Sequence, residues 1–470
     1  MNREKKLLKN TLIISLGQIC TKFITFFMLP FYTYFLSTSE YGTVDLFQTI
    51  VSLLIPIVYL QLEQAVFRFL IDFRDDSNEK NKVISTAFFT ITFLSIVYLI
   101  IFLIVSAFIN VNYKYFIFFN VVVTMFSSLH LQICRGLGDN ISYSIGSLIS
   151  GITTVLLNVL FIAYFNMGIA GMLFAILLAN LLCFSFLFIR KQIFCCLNRK
   201  SFSFDLLKKM LTYSIPLIPN QLSWWVVNVS DRTIITFFLG IAVNGIYSAV
   251  NKFSAIIINV FNVFNITWTE SAAVHLKDDD SSVFFTNIFN STLKIFSSLC
   301  FLVIVFMPFA FNFVITGSGY SDGYFQVPIL LVATFFNIVV SVIGSMYIAL
   351  KKTSDIAKTT FVAALINIVI NLLLINKIGL YAASLSTLFA YLLIAVYRYI
   401  DIQKYIKLSL DKKYAIITCI FCCIIVLAYY LDFLVLNILS VILTLLYSYY
   451  FCKGYFKSLV SIIKSKLPRK

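Results

Sequence analysis

Charge is scarce in this sequence. Only 12% of its 470 residues are Asp, Glu, Lys or Arg, where a soluble domain of this size carries about 25%. That excludes a chain folded wholly in water. Histidine is almost absent, with two residues, which leaves no histidine-rich metal centre. Proline is rare at 7, so few long apolar segments are interrupted. No long polar stretch occurs, and none of the loops reaches domain size. No glycine-rich phosphate loop appears either, so the chain carries no ATPase of its own.

What fills the sequence is apolar: 60% hydrophobic residues, 50 of them Phe. The ten cysteines do not alter this reading. Cys20, Cys183, Cys300, Cys419, Cys422 and Cys423 sit inside apolar runs without metal-ligand spacing and count as small hydrophobic residues. A membrane-spanning helix needs roughly 17–25 such residues. Fourteen runs qualify: 11–36, 42–67, 83–109, 115–134, 141–165, 168–189, 210–238, 243–269, 284–313, 327–350, 359–375, 379–397, 414–431 and 433–452. The last two are parted only by Asp432. The basic stretch Met1–Asn10 leads into the first run without a small-residue cleavage site and reads as the flank of a retained span.

Loop charge sets the orientation. With Met1–Asn10 inside, the loops on that side collect 29 of the 36 Lys and Arg residues, and the opposite loops hold only Lys114 and Lys377. The predicted fold is an all-α polytopic membrane protein with both termini in the cytoplasm. The formal charge of +16 belongs to the inner membrane face and needs no nucleic acid. Residues 1–189 form a first lobe of six spans, 190–209 a basic linker, 210–397 a second six-span lobe, and 398–470 two further spans with a basic tail.

The two lobes repeat each other. Phe35-Leu36-Ser37-Thr38-Ser39-Glu40-Tyr41-Gly42 after span one matches Phe238-Leu239-Gly240-Ile241-Ala242-Val243-Asn244-Gly245 after span seven. Cys134–Asp139 pairs with Leu350–Asp355 in position and charge. Asn158 pairs with Asn371, and Gly168–Gly171 with Gly379–Ala382. Six spans per copy give both copies one orientation, a transporter signature with the substrate path between the lobes.

Ionisable residues inside spans face the bundle interior or a water-filled cavity. On span one, Thr11, Ser15, Gln18, Lys22 and Thr25 share one face, and Lys22 lies about 18 Å deep. Lys22 contacts substrate or pairs with Asp45 or Glu63. Span two carries one polar stripe of Asp45, Gln48, Ser52, Tyr59 and Glu63, and a second edge of Gln61, Gln64, Arg68 and Asp72. Arg68 bridges to Asp72 one turn on, snorkels, or reaches substrate. Span seven has Pro216 and Pro219, then Gln221, Trp224, Asn228, Asp231 and Arg232 along one side. Asp231 and Arg232 either neutralise each other at the outer edge, form a gate, or contact a sugar.

Span eight presents Tyr247, Asn251, Ser254, Asn262, Asn265 and Thr269, with Lys252, Asn259 and Glu270 beside them. Amides donate and accept, which suits hydroxyl-rich ligands, and they equally serve helix–helix hydrogen bonds. For Asn158, Asn367 and Asn371 the second use is favoured. Lys294 is expected to snorkel. His130 is expected to be a helix-packing donor, and His275 with Asp278–Asp280 a solvated loop.

These residues carry a resemblance. Lys9-Asn10-Thr11, Gly17, Lys22 and Pro30 lead to Glu40-Tyr41-Gly42. Ser214-Ile215-Pro216-Leu217-Ile218-Pro219 runs on to Trp224, Asp231-Arg232, Leu239-Gly240 and Gly245-Ile246-Tyr247. Over nearly its whole length the chain resembles the polysaccharide flippases of O-antigen and capsule pathways, in the multidrug/oligosaccharidyl-lipid/polysaccharide exporter superfamily. The resemblance implies a bacterial inner-membrane flippase and not an enzyme. Its substrate would be a polyprenyl-diphosphate-linked oligosaccharide moved by alternating access. The coupling ion would be H+ or Na+, and the partners membrane lipid, a polysaccharide polymerase and a chain-length regulator. No cofactor or metal is implied.

Chemistry compatible with that substrate is present. Lys22, Arg68 and Lys252 offer cations for a diphosphate, and Asn251, Asn262, Trp224 and Tyr247 offer amides and rings for a glycan. Asp45, Glu63, Asp231, Arg232 and Glu270 are candidates for gating or ion coupling. A multidrug–cation antiporter on the same plan is the first rival, but its site needs unneutralised acids, and these acids have basic neighbours. A membrane polymerase or acyltransferase is the second, and it would be expected to show a long outer loop. The longest here, Thr316–Gln326, has Asp322 as its only charge.

Overall fold

The computed structural model describes residues 23–24, 26–74, 76–108 and 111–466. Lys22 and half of span one lie outside them. Among the described residues the secondary structure is helical throughout, with no strand. Twelve helices are long and apolar enough to cross a membrane. They match the sequence-derived spans two to six and eight to fourteen. Span seven is the helix Leu217–Leu239, 23 residues long, with too many polar residues to join that set. The described part of span one includes the short helix Leu29–Phe35.

The chain divides into two compact units, Met1–Ser248 and Ala249–Lys470. In the first, α1 (Leu29–Phe35) leads to α2 (Thr38–Val58) and α3 (Leu62–Asp72), followed by α4 (Ser77–Phe108) and α5 (Lys114–Gly136). Then come α6 (Asn140–Asn158), α7 (Gly168–Arg190), the short α8 (Phe204–Ser214) and α9 (Leu217–Leu239). The helix α10 (Ile241–Val274) enters the second unit, which continues with α11 (Ser281–Val314), α12 (Val327–Ala349), α13 (Thr353–Ile378), α14 (Tyr381–Ile402), α15 (Lys412–Leu431) and α16 (Leu434–Lys466). Because α9 packs on α2, span seven clusters with the first unit.

Span two is not one helix. Pro56 lacks the N–H that would bond one turn back, and the chain leaves the helix after Val58. Leu60 and Gln61 both take φ of 56°, a left-handed pair without glycine. The Tyr59 hydroxyl, 2.9 Å from Ser95 on α4, anchors the break. Helix resumes at Leu62. The first unit's core forms around this point from Tyr59, Leu62, Val66 and Leu70 against Val83, Ile91, Met125 and Ile133. Away from it, Ile100, Leu103 and Ile104 on α4 are exposed, as a lipid-facing surface requires.

Local geometry supports the repeat and corrects its register. At the end of α5, Leu137 N donates to Ile133 O, Gly138 N to Arg135 O and Asp139 N to Cys134 O, each at 2.9 Å. At the end of α12, Leu350 N donates to Met346 O, Lys351 N to Ile348 O and Lys352 N to Tyr347 O. Gly138 and Lys351 sit at equivalent left-handed positions, φ 78° and 60°. Asp139 therefore corresponds to Lys352, and pairing it with Asp355 by charge was three residues out of step. Within each unit the later helix packs on both earlier ones: α7 on α5 and α6, and α14 on α12 and α13.

The last two helices are stitched to α11 by polar contacts. Tyr414 OH donates to Leu293 O and Ser297 Oγ, both at 2.8 Å. Tyr447 OH lies 2.7 Å from Thr418. Lys294 reaches Asp411 at 3.0 Å, which gives the expected snorkelling lysine a partner. Asp432, at φ 50°, makes the turn between α15 and α16.

Candidate functional site

The site in the first unit begins with a helix cap. Ser37 and Glu40 form a reciprocal capping box: Glu40 N donates to Ser37 Oγ, and Ser37 N donates to Glu40 Oε2 at 2.9 Å. This gives α2 a sharp start and explains the Ser-x-x-Glu of the first repeat motif. In the second copy Gly240 stands in place of Ser37, at φ 95°, and α10 starts immediately after it.

The motif glycines meet. A Cβ on Gly42 would lie 2.0 Å from Ile241 O, and a Cβ on Gly245 would lie 1.9 Å from Thr38 O. Only bare backbone fits, so α2 and α10 touch at one turn from each copy. Asn244 Nδ2 donates to Gly42 O at 3.1 Å and fastens the crossing.

One turn deeper, the polar stripe of α2 faces α9. Arg232 donates to Asp45 Oδ1 at 3.0 Å, and the Asp45 side chain is only 8% exposed. Trp225 Nε1 donates to Ser52 Oγ at 3.0 Å. On the same turn of α9 as Arg232, Asp231 accepts from Tyr247 OH at 3.1 Å. Adjacency in sequence thus misleads: Asp231 and Arg232 each have a partner on another helix. Several buried atoms here have no hydrogen bond, namely Asp45 Oδ2, Gln48 Nε2, Thr49 Oγ1 and Arg232 Nε. Buried polar atoms left without a partner are costly at low dielectric, so this pair is only partly satisfied.

The remaining candidates are spread out. Glu63 is buried in the first turn of α3, right after the left-handed break, and its Oε2 has no partner. Arg68 is exposed and bonds Asp72 at 2.5 Å, the one-turn bridge expected from spacing. Trp224 is half-buried, while Gln221 and Asn228 are exposed on α9. In the second unit, Asn251 and Lys252 are half-buried, and Asn262 and Glu270 are exposed along α10. Asn265 joins helices, accepting from Ser345 at 3.0 Å. His130 packs between Phe184 and Phe188, with Nδ1 2.7 Å from Phe126 O. Among the described residues no cluster of His, Cys, Asp and Glu could hold a metal ion, and the cysteines are free.

Sequence reasoning placed Arg398 in a loop. It is instead 1% exposed near the end of α14. Its guanidinium donates to Val340 O on α12 and to Ile356 O, Thr359 and Thr360 on α13, at 2.7 to 3.2 Å. The signal was present in its position inside the apolar run Tyr391–Ile402. On the basic-loop side of the first unit, Asp139 caps α6 and bonds Lys191. Burial would raise its carboxyl pKa, but Lys191 and the Ser142 N–H and hydroxyl outweigh that and hold it at about 2.

Comparisons place this geometry among known proteins. A family model described as polysaccharide biosynthesis protein matches residues 7–268. The fold is similar to that of a multidrug resistance MATE family transporter of the MOP superfamily in an inward-facing conformation, at 12% identity and TM-score 0.66, covering 82% of this chain and 96% of that one. It is equally similar to the lipid II flippase MurJ in an inward closed conformation, at 16% identity and TM-score 0.66, covering 95% and 100%. A MOP superfamily transporter from Pyrococcus furiosus, described as having reversed pocket polarity, aligns at 12% identity and TM-score 0.62 over 83% and 94%. None of the curated proteins matches.

Proposed function

The chain belongs to the polysaccharide biosynthesis protein family, among the flippases and transporters of the multidrug/oligosaccharidyl-lipid/polysaccharide exporter superfamily, and from that premise we propose that it flips a polyprenyl-diphosphate-linked oligosaccharide across the bacterial inner membrane. The carrying observation is the burial of the acids where α2 meets α9. Asp45 is paired with Arg232, and Asp231 is buried and accepts a hydrogen bond from Tyr247. A site for cationic drugs needs acids left open to the ligand. The polar side chains exposed on α9 and α10 include four amides, Asn220, Gln221, Asn228 and Asn262, beside Thr233, Thr267 and Glu270. Exposed amides on membrane helices suit a hydrated, hydroxyl-rich glycan.

The proposed plan has fourteen spans, with lobes at 1–189 and 210–397, two further spans, and both termini in the cytoplasm on the strength of loop charge. Transport runs by alternating access, coupled to H+ or Na+, with no catalytic step. Asp45 lies two turns into α2 and Arg232 two turns before the end of α9, so their pair acts as a latch near the outer end. Lys22 and Lys252 hold the diphosphate. Tyr247 positions Asp231, while Trp224, Asn251 and Asn262 meet sugar. Glu63 and Glu270 serve ion coupling. A polysaccharide polymerase and a chain-length regulator act next on the flipped unit.

The test is deletion of the gene in its host, with lipid-linked oligosaccharides and surface polysaccharide analysed together. Loss of surface polymer with single repeat units retained on the polyprenyl carrier in the inner leaflet is expected. Normal surface polymer with altered tolerance to cationic drugs would overturn the substrate assignment in favour of an antiporter.

A further inference from the structure

The protein covers the apolar side of helix α8 only in part. Leu206, Met210 and Ser214 are buried, and α8 packs on α3 and α4. Beside them Phe204, Leu207, Leu211 and Ile215 run down the helix three or four apart, with Leu207 and Leu211 half-buried and Leu211 against the first unit's core. Phe204 is 77% exposed and Ile215 46%. With the elbow at Pro216, where α9 begins, this face lines an open cleft of about 490 Å³. Lys208 also lines it.

Charge on this segment is one-sided. Arg199, Lys200, Lys208 and Lys209 are exposed, and none makes a salt bridge among the described residues. Asp205 is the only acid between residues 190 and 216. An amphipathic helix with a partly uncovered apolar face and basic flanks lies in a membrane interface, where the lysine stems lie along apolar surface and their ammonium groups meet headgroups. The linker of the second unit that follows α14 is built differently. There Asn290 and Thr286 on α11 clamp the backbone at Ser409 by hydrogen bonds, and the loop presents no such helix.

We propose that the cleft between α8 and the foot of α9 is a binding site for an acidic phospholipid of the leaflet on the basic-loop side. One acyl chain lies against Phe204, Leu207, Leu211 and Ile215, and the phosphate is held by Lys208 at the edge of the cleft. The occupant is a phospholipid because the cleft is lined by apolar side chains, and anionic because Lys208 at its edge makes no salt bridge among the described residues and basic residues outnumber the one acid on this segment. This inference rests on the membrane reading alone and is independent of the transported substrate.

The experiment is native mass spectrometry of the purified full-length protein from detergent, titrated with phosphatidylglycerol or phosphatidylcholine. A control variant, Lys412→Gln, removes one exposed lysine elsewhere. Phosphatidylglycerol should be retained in preference to phosphatidylcholine. Lys208→Gln should weaken retention about fivefold, the value for one basic residue near a charged surface. The Lys412→Gln variant should retain wild-type binding. Equal weakening in both variants would make the effect one of net charge and overturn the site. So would equal retention of the two lipids, or occupancy by a polyprenyl diphosphate in place of the phospholipid. Matching circular dichroism spectra of the variants exclude misfolding as the cause.

Discussion

Arg232 on α9 reaches 187 residues back along the chain and donates to Asp45 on α2 at 3.0 Å. The pair is largely removed from water, so its two charges depend on each other. Breaking a buried pair by removing one partner costs about 3–5 kcal/mol, because the other charge is stranded.

A double-mutant cycle reads this directly. Arg232→Gln alone should lower the thermal midpoint of the purified protein strongly, whereas Asp45→Asn with Arg232→Gln should recover much of the loss. Additive losses in the two single variants would show that the pair is not coupled.

The glycine crossing makes a steric prediction. Gly42→Ala and Gly245→Ala each place a methyl group within about 2 Å of a backbone oxygen, so α2 and α10 must separate. Either variant should increase labelling of a buried Ser248→Cys reporter one turn along α10 by a membrane-impermeant thiol reagent added from outside. Gly454→Ala, where nothing lies within 4 Å, should leave labelling unchanged.

Arg398 should tolerate no substitution well. Arg398→Leu removes its bonds to Val340 O, Thr359 and Thr360, at about 1 kcal/mol net for each bond lost. Arg398→Lys keeps the charge but cannot fork across two helices. Both should lower the thermal midpoint, Arg398→Leu more than Arg398→Lys. Equal midpoints for wild type and Arg398→Leu would exclude a clamping role for this side chain.

Asp139 predicts a pH dependence with a definite sign. Its folded pKa is about 2, below the roughly 3.9 of an unfolded aspartate. A depressed pKa contributes stability above the unfolded value, and that stability is lost as pH falls through the folded one. Partial exposure limits the effect to about 1 kcal/mol. Thermal midpoints of wild type and Asp139→Asn should differ at pH 6 and converge between pH 4 and 2. A gap that is constant over that range would show that ionisation is not what stabilises the cap.

Much of this was legible beforehand, for reasons that differ by residue. The spans were readable because a bilayer demands a fixed apolar length, and that length is a one-dimensional property. Asp432 as the turn between α15 and α16 was visible for the same reason. The Arg68–Asp72 bridge followed from helical spacing. The break at Leu60 and Gln61 was not visible, because no glycine marks it and the anchor, Ser95, lies on another helix.

The sequence by itself determined that this is a membrane chain, where most of its helices run, and which segments carry positive charge. Hydropathy, charge and periodicity act along the chain and need no partner to be read. Only the tertiary structure decided that Arg232 belongs to Asp45, that Gly42 meets Gly245, and that Arg398 is buried within a three-helix clamp. Such choices depend on which helix faces bring donors and acceptors within about 3 Å, and sequence neighbours such as Asp231 do not compete when their side chains point elsewhere.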